Sequence, residues 1–209
     1  MKTLWIIGAG GHGKVAADIA RKTGYEEIAF LDDRDGLTSC GGYPVRGKTA
    51  LLRELDGDFI VAIGNPSVRS RFQETLEALG KKVAVLVHPS AVIGENVTVG
   101  AGTVIVAGAV VNPGTVIGKG CIVNTCASVD HDCTVGDYSH VAVGAHIAGT
   151  VTVGSGVWIG AGATVINNLS VCDGAFLGAG AVAVKNVTEP GLYLGVPAKK
   201  KHENPDSCK

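Results

Sequence analysis

Residues 123–148 read VNTCASVDHDCTVGDYSHVAVGAHIA, and in this stretch Val123, Val129, Val135, Val141 and Ile147 fall six apart. The same beat extends in both directions, from Val87 to Leu177, as sixteen consecutive branched aliphatics without a slip. Four places after each comes a mostly small residue, such as Ala127, Cys133, Ser139 and Ala145. A helical period of 3.6 cannot produce this, and simple alternation would not fix the sixth position. The period is that of a hexapeptide solenoid, in which each repeat is one short strand and one turn. Three repeats close a triangular coil, and coils stack at the ordinary strand spacing of ~4.8 Å. Stiff branched side chains lose little freedom at the inward position, and burying each one contributes ~2 kcal/mol. The unbroken count predicts that no long loop leaves the coils between residues 87 and 186.

Outward from the coils, the chain of 209 residues has room for a second modest core. The order of elements predicts a small separate part at 1–86, the coils at 87–200 and a polar tail at 201–209. A formal charge of -1 with mixed signs argues against nucleic-acid and membrane-surface partners. The absence of a cleavage-site pattern and of a long apolar run leads to the expectation of a cytoplasmic protein. Six cysteines occur without a CxxC pair, so metal and disulfide roles are not expected of them. Cys121 and Cys133 fall on the small-residue register, where a thiol fills space.

Before the coils, KTLWIIG (2–8) reads as a buried strand, and the following GAGGHG opens a helix through Lys22. Gly8, Gly10 and Gly13 form a GxGxxG run after a strand, and the next strand, IAFLDD, ends on Asp32 and Asp33. Such glycines let backbone N–H groups approach a phosphate at a helix N-terminus, and a carboxylate at the second strand's tip can accept ribose hydroxyls. A helix at 48–55, a strand DFIVAIG, a helix at 67–79 and a strand KVAVLV complete a small parallel sheet flanked by helices. This is about half of a dinucleotide fold, which favours a mononucleotide or nucleotide-sugar over NAD.

Few polar residues in the coils suit chemistry. His131 and Asp132 sit at an outward corner, and His140 and His146 each precede an inward aliphatic. With eighteen residues per coil, Ile122, His140, Trp158 and Phe176 should stack in one column, and His131 should lie between Pro113 and Gly149. An imidazole in a glycine-flanked groove suits a general base, with a neighbouring carboxylate to fix its tautomer and stabilise the imidazolium. A solvated corner at 131–132 and packed histidines at 140 and 146 are the plainer alternatives.

GAGGHG, FLDD, AIGN, the NTCASVDHDCTVGDYSHVAVGAHIAG run and the closing GVPAK resemble the bacterial sugar acyltransferases that include sialic acid O-acetyltransferases and UDP-4-amino-sugar N-acetyltransferases. The likeness covers residues 2 to about 200. It implies an α/β Rossmann-like N-terminal domain followed by an all-β left-handed parallel β-helix. It also implies acetyl transfer from acetyl-CoA, without a metal, to the 4-amino group of a UDP-4-amino-4,6-dideoxy sugar in glycan synthesis. By matching positions, the resemblance makes His131 the catalytic base and Asp132 its acidic partner, where the bacillosamine enzymes carry a glutamate one methylene longer. It assigns His140, Ala161 and Ala179 to acetyl-CoA. Gly10, Gly11, His12, Asp32, Asp33 and Gly64 fall to the nucleotide-sugar, and Asn124 to the acceptor site. Family members are homotrimers with the coenzyme between two prisms, so Val104, Val110 and Trp158 are expected interface contacts.

Four other readings remain at the level of sequence. O-acetylation of sialic acid or another sugar hydroxyl would use the same machinery. A γ-type carbonic anhydrase also uses such a prism, but its paired ligands lie five apart, whereas His140 and His146 are six apart. An NAD-dependent oxidoreductase lacks the second half of its fold here. A non-catalytic nucleotide-sugar sensor would leave His131 without a role in turnover.

Overall fold

The computed structural model describes residues 2–201; the polar tail expected beyond Lys201 lies outside the described residues. The N-terminal part contains β1 (Thr3–Ile7), α1 (Gly11–Lys22), β2 (Glu27–Leu31), β3 (Ser39–Cys40), β4 (Tyr43–Gly47), β5 (Asp58–Val61), α2 (Pro66–Ala78) and β6 (Lys82–Val83). They form one sheet of order β3-β4-β2-β1-β5-β6, parallel except for the β3–β4 pair. Both faces of its centre are buried, which is why β1, β2 and β5 read as continuous apolar runs. Ala16, Ala17, Ile19 and Ala20 of α1 lie against the sheet and are fully buried. α2 begins where the Asn65 side chain accepts from Val68 N and Pro66 takes the first turn, a strong start signal.

Two expectations need correction, and one strand pair carries no sequence signal. The helix expected at 48–55 is a single 3-10 turn, Thr49–Arg53, too short a segment to sustain α-helical pairing. No sequence pattern marks the β3–β4 pair, because two residues opposite five give no periodicity. The strand KVAVLV is two strands. β6 ends at Val83, Val85 turns to solvent, and Leu86–Val87 already forms the first rung of the coils.

The coils form three parallel faces. The first holds the rungs Leu86–Val87, Val104–Ile105, Ile122–Val123, His140–Val141, Trp158–Ile159 and Ala175–Leu177, extended by Gly191–Leu194 and an antiparallel Lys199–Lys200. The second runs from Val92–Ile93 to Val182–Ala183, and the third from Thr98–Val99 to Ser170–Val171. Register advances eighteen residues per coil, with His140 between Ile122 and Trp158, and Trp158 beside Phe176. Inward aliphatics from Ile105 to Leu177 are buried, but Val87 and Val99 are only half-buried and Ile93 is 38% exposed at the open end. Past Ala183 the beat slips. Val187 bridges to Val171, and Tyr193 pairs with Leu177.

The fourth place of the coil hexads is a left-handed corner. Glycine fills it at Gly102, Gly108, Gly114 and Gly120, but Cys126, Asp132, Tyr138, Thr150 and Asn168 also take positive φ. Inside two corners, polar columns satisfy the backbone. Thr103 Oγ1 donates to the Gly118 carbonyl and accepts from Cys121 N, and Ser139 Oγ repeats this with Gly154 and Val157. The Cys121 and Cys133 thiols likewise donate to the Gly136 and Ala148 carbonyls at 3.2 Å. They therefore bond as well as fill space, and burial pushes the Cys121 thiol up to about 11.

The two parts meet on the first face. Leu86, Val104 and Val106 join one core with Ala16, Ala20 and Ile60. Val104, expected at a subunit interface, is 1% exposed and belongs to this internal seam. Arg69 of α2, itself 1% exposed, fastens it. Its guanidinium donates to the carbonyls of Ile63 and Gly64 after β5 and to those of Gly120 and Tyr138 in the coil corners, at 2.5–2.7 Å. Beside it, Gln73 Nε2 donates to the Ala101 carbonyl at 2.9 Å.

Candidate active site

His131 and Asp132 occupy the corner between the second and third faces. Asp132 sits at φ 56°, a conformation that aspartate tolerates better than bulkier side chains. From there its carboxylate lies 2.8 Å from His131 Nδ1. Asp130 accepts from His131 N at 2.8 Å and from the Asn112 amide at 2.7 Å, which places a second negative charge close by. The hydrogen bond to Asp132 holds the imidazole pKa above the usual 6.5, and the charge of Asp130 adds to it. Two glycines in neighbouring coils make the room. A Cβ on Gly114 would stand 2.7 Å from the Asp132 carboxylate, and one on Gly149 would stand 2.5 Å from His131 Nε2. With Nδ1–H held by the carboxylate, Nε2 carries the free lone pair at an exposed corner, as a general base requires.

A cleft of about 390 Å³ opens on the first face, between Gly64, Asn65 and Arg69 on one side and His140, Trp158 and Phe176 on the other. His140 stands edge-on to Trp158 at 4.3 Å, and Trp158 stacks flat on Phe176 at 5.4 Å. His140 is 8% exposed, and burial, with His12 and Arg69 nearby, pushes its pKa down to about 3. Its Nε2 is 3.0 Å from the Asn124 amide nitrogen, while its Nδ1 is buried without a partner. His12, at the start of α1, is likewise lowered to about 4 by burial and by Arg69, and its Nε2 has no partner. A buried polar atom left unpaired costs about 1–3 kcal/mol, and among the described residues the four such side-chain atoms are these two ring nitrogens, Gln73 Oε1 and Tyr138 Oη, all on residues of the seam around Arg69.

The remaining expected residues separate. Gly10 and Gly11 are open, since a Cβ on either would meet nothing within 4 Å. Gly13 is a packing glycine, because a Cβ there would collide with the Gly8 carbonyl and so part α1 from β1. The Asp32 carboxylate is already bonded, by Ala9 N at 2.8 Å and by the Arg34 guanidinium at 2.8–2.9 Å. Those bonds, the one from Arg34 first, hold its pKa far below the carboxylate range. Asp33 caps the 3-10 turn through Thr49 N and Oγ1. Ala161 and Ala179 are exposed at the corner between the first and second faces, one coil apart. His146 is exposed on the second face, bonded to Ser128 Oγ at 2.9 Å.

His12, Gly64, Asn124 and His140 thus gather around the seam, with Gly10 and Gly11 just before His12 at the start of α1, whereas His131 and Asp132 lie on the corner opposite the first face. Arg34, which binds Asp32, and Arg69 and Tyr138, which line the cleft, are not among the residues singled out by sequence pattern. For Arg69 a signal existed, since it shares with Gln73 and Leu76 the spacing of a buried helical stripe. Among the described residues no group of three His, Cys, Asp or Glu is placed to hold a metal, and no helix is long and apolar enough to cross a membrane.

Comparison with known proteins fits this geometry. Residues 3–76 match the PglD N-terminal domain. The UDP-N-acetylbacillosamine N-acetyltransferase of Bacillus subtilis (strain 168) is 38% identical over 114 residues, 51% of this chain and 52% of that protein. The match therefore spans about half the length of that relative. Solved structures align over nearly the whole chain. The acetyltransferase domain of PglB from Neisseria gonorrhoeae FA1090, in complex with acetyl coenzyme A, is 43% identical with a TM-score of 0.93, covering 96% of this chain and 99% of that one. A mutant of GDP-perosamine N-acetyl transferase from Caulobacter crescentus, in complex with CoA and GDP-perosamine, is 33% identical, also with a TM-score of 0.93, covering 97% and 98%. On identity, coverage and shared architecture, the chain belongs to the family of PglD- and PglB-type sugar N-acetyltransferases.

Proposed function

We propose that this chain transfers acetyl from acetyl-CoA to the 4-amino group of a UDP-linked 4-amino-4,6-dideoxy sugar, in bacterial glycan synthesis in the cytoplasm. Acetyl-CoA-dependent N-acetylation of nucleotide sugars is the chemistry of the family, and it needs no metal. The relatives' names include both UDP- and GDP-linked sugars. The short N-terminal sheet, with its open Gly10–Gly11 turn, supports a single nucleotide as the sugar's carrier.

The observation that carries the reading is the His131–Asp132 pair, at 2.8 Å with Nε2 free. His131 Nε2 removes a proton from the amine as its nitrogen bonds to the thioester carbon. Asp132 stabilises the imidazolium. When the tetrahedral centre collapses, the C–S bond breaks, sulfur keeps the electron pair, and the imidazolium returns the proton to it. The products are the acetamido sugar and free coenzyme thiol.

One chain does not bring this base to the seam that holds His12, His140 and Gly64. A cyclic homotrimer does so three times, if the His131 corner of one copy faces the first-face cleft of the next. The coenzyme then lies along Ala161 and Ala179, with Val110 and Trp158 near the boundary. The test is thiol release from acetyl-CoA by purified protein with a panel of UDP- and GDP-linked 4-amino sugars and free sialic acid. Turnover with the UDP-linked amines, lost in His131→Ala while coenzyme still binds, is expected. Turnover confined to sialic acid, or unchanged in His131→Ala, overturns the proposal.

A further inference from the structure

A carboxylate at the tip of β2 is placed to accept ribose hydroxyls, but that of Asp32 has no capacity left. Its Oδ1 accepts from Arg34 N at 3.0 Å and from Arg34 Nε at 2.8 Å, and its Oδ2 from Ala9 N at 2.8 Å and from Arg34 Nη2 at 2.9 Å. Those bonds fill the lone-pair sites of a carboxylate. Arg34 Nη2 gives its second hydrogen to the Ala9 carbonyl, also at 2.9 Å. The guanidinium is thus fixed along one edge by Asp32 and the turn after β1, yet the side chain stays 60% exposed. What it can still offer a ligand is Nη1 and the flat faces of its plane.

Two features adjoin this fixed plane. Through the Ala9 carbonyl it touches the turn that leads into the open Gly10–Gly11 start of α1, where a phosphate can meet backbone N–H groups. It also walls a cavity of about 190 Å³ shared with Gly36, Leu37 and Val45, and Leu37 and Val45 are half-buried apolar side chains. A planar cation facing apolar walls suits a flat aromatic ring.

We infer that Arg34 stacks on the base of the nucleotide-sugar, in the cavity beside Val45, and that Asp32 is a positioning residue that holds the guanidinium flat without touching the ribose. The inference rests on the nucleotide-sugar reading above and moves the contact at the β2 tip from the carboxylate to the guanidinium two residues on. Every base has a π face, so Arg34 contributes affinity for a base rather than a choice between uracil and guanine. A lysine carries the charge without the plane.

The test is calorimetric binding of UDP to the full chain, with ribose 5-phosphate as a competitor that keeps sugar and phosphate and lacks the base. Arg34→Lys is expected to weaken UDP about tenfold and ribose 5-phosphate less than about twofold. It should also raise the KM for the nucleotide-sugar with kcat unchanged, as loss of uniform binding does. Equal weakening of both ligands would make Arg34 a phosphate contact and overturn the stack. For Asp32 the readout is the affinity ratio of UDP to its 2′,3′-dideoxy analogue. Asp32→Asn should weaken both and keep the ratio; a ratio that changes in this variant, or no weakening at all, overturns the positioning role. If UDP binds and Arg34→Lys leaves it unchanged, the stack falls and the nucleotide-sugar reading stands. If the unmodified protein binds neither UDP nor GDP, both fall together.

Discussion

The imidazole of His131 lies over the α-carbon of Gly149, so closely that a methyl group there would stand 2.5 Å from Nε2 and 2.7 Å from Cε1. The Gly149 backbone is not in the left-handed region, so Gly149→Ala adds no backbone strain and acts only by displacing the ring. Misplacing a base by about an ångström costs on the order of 100-fold in rate. Gly149→Ala should therefore lower kcat by roughly that factor, with the melting temperature and CoA affinity nearly unchanged. Steady-state kinetics beside a thermal melt checks this.

The pH profile follows from the neighbour of the base. As the proposed base, His131 must be neutral to accept a proton, and its pKa is raised above 6.5, first by the hydrogen bond to Asp132. The acid limb of kcat/KM should therefore fall above pH 6.5. In Asp132→Asn the limb should move down toward the ordinary histidine value of ~6.5, and the plateau should drop because the imidazolium loses its partner. A limb that stays in place would show that Asp132 does not act on the base.

Arg69 is a buried cation with four carbonyl partners and no carboxylate, and burial lowers its pKa only to about 10. It stays charged, and the seam depends on it. Arg69→Met leaves carbonyls from both parts of the chain without a donor, a loss on the order of 3 kcal/mol. For a chain of this size that corresponds to a fall of roughly 6–12 °C in the melting temperature. A melt within about 2 °C of the unmodified protein would refute the clamp.

Acid should weaken the fold well above the carboxylate range. His12 and His140 have folded pKa values of about 4 and about 3 against 6.5 unfolded. Between pH 6.5 and about 4 the unfolded chain therefore binds more protons, and stability falls as pH falls. Each group contributes at most about 1.4 kcal/mol per pH unit, so a loss on the order of 3 kcal/mol is expected between about pH 6.5 and about pH 5. Asp32, lowered from 3.8, loses its contribution only below that window. His131 is raised and works in the opposite direction, but it is exposed and screened. Denaturant titrations at pH 7 and pH 5 should show this loss, about halved in His140→Asn.

The sequence made the coils legible because their register is local. A beat of six repeated sixteen times fixes which side chain faces inward without reference to anything distant. It also isolated His131–Asp132, because polar residues at a corner break an otherwise apolar and small-residue pattern. What it could not supply depends on contacts far along the chain. Nothing in hexad spacing says that the first face is covered by α1 and α2, which is why Val104 read as a surface residue and is 1% exposed. Nor does composition reveal that Asp32 is already bound by Arg34, or that Asp132 adopts φ 56° so as to reach the imidazole.

Subunit sharing gives the sharpest test of the site as a whole. His131 sits between the second and third faces, while His140 lies in the first, so a single prism keeps them on opposite sides. If each site takes His131 from one copy and His140 from the next, His131→Ala and His140→Asn inactivate different halves of it. When the two variants are unfolded together in equal amounts and refolded, a site is intact only where an His140→Asn copy supplies the base to an His131→Ala copy. In a randomly assembled cyclic trimer that holds for about one site in four. The mixture should recover about a quarter of the unmodified turnover, although each variant alone recovers almost none. If both halves belonged to one chain, every chain would carry one lesion and mixing would restore nothing. Recovered activity therefore decides between a shared and a self-contained site without a structure of the assembly.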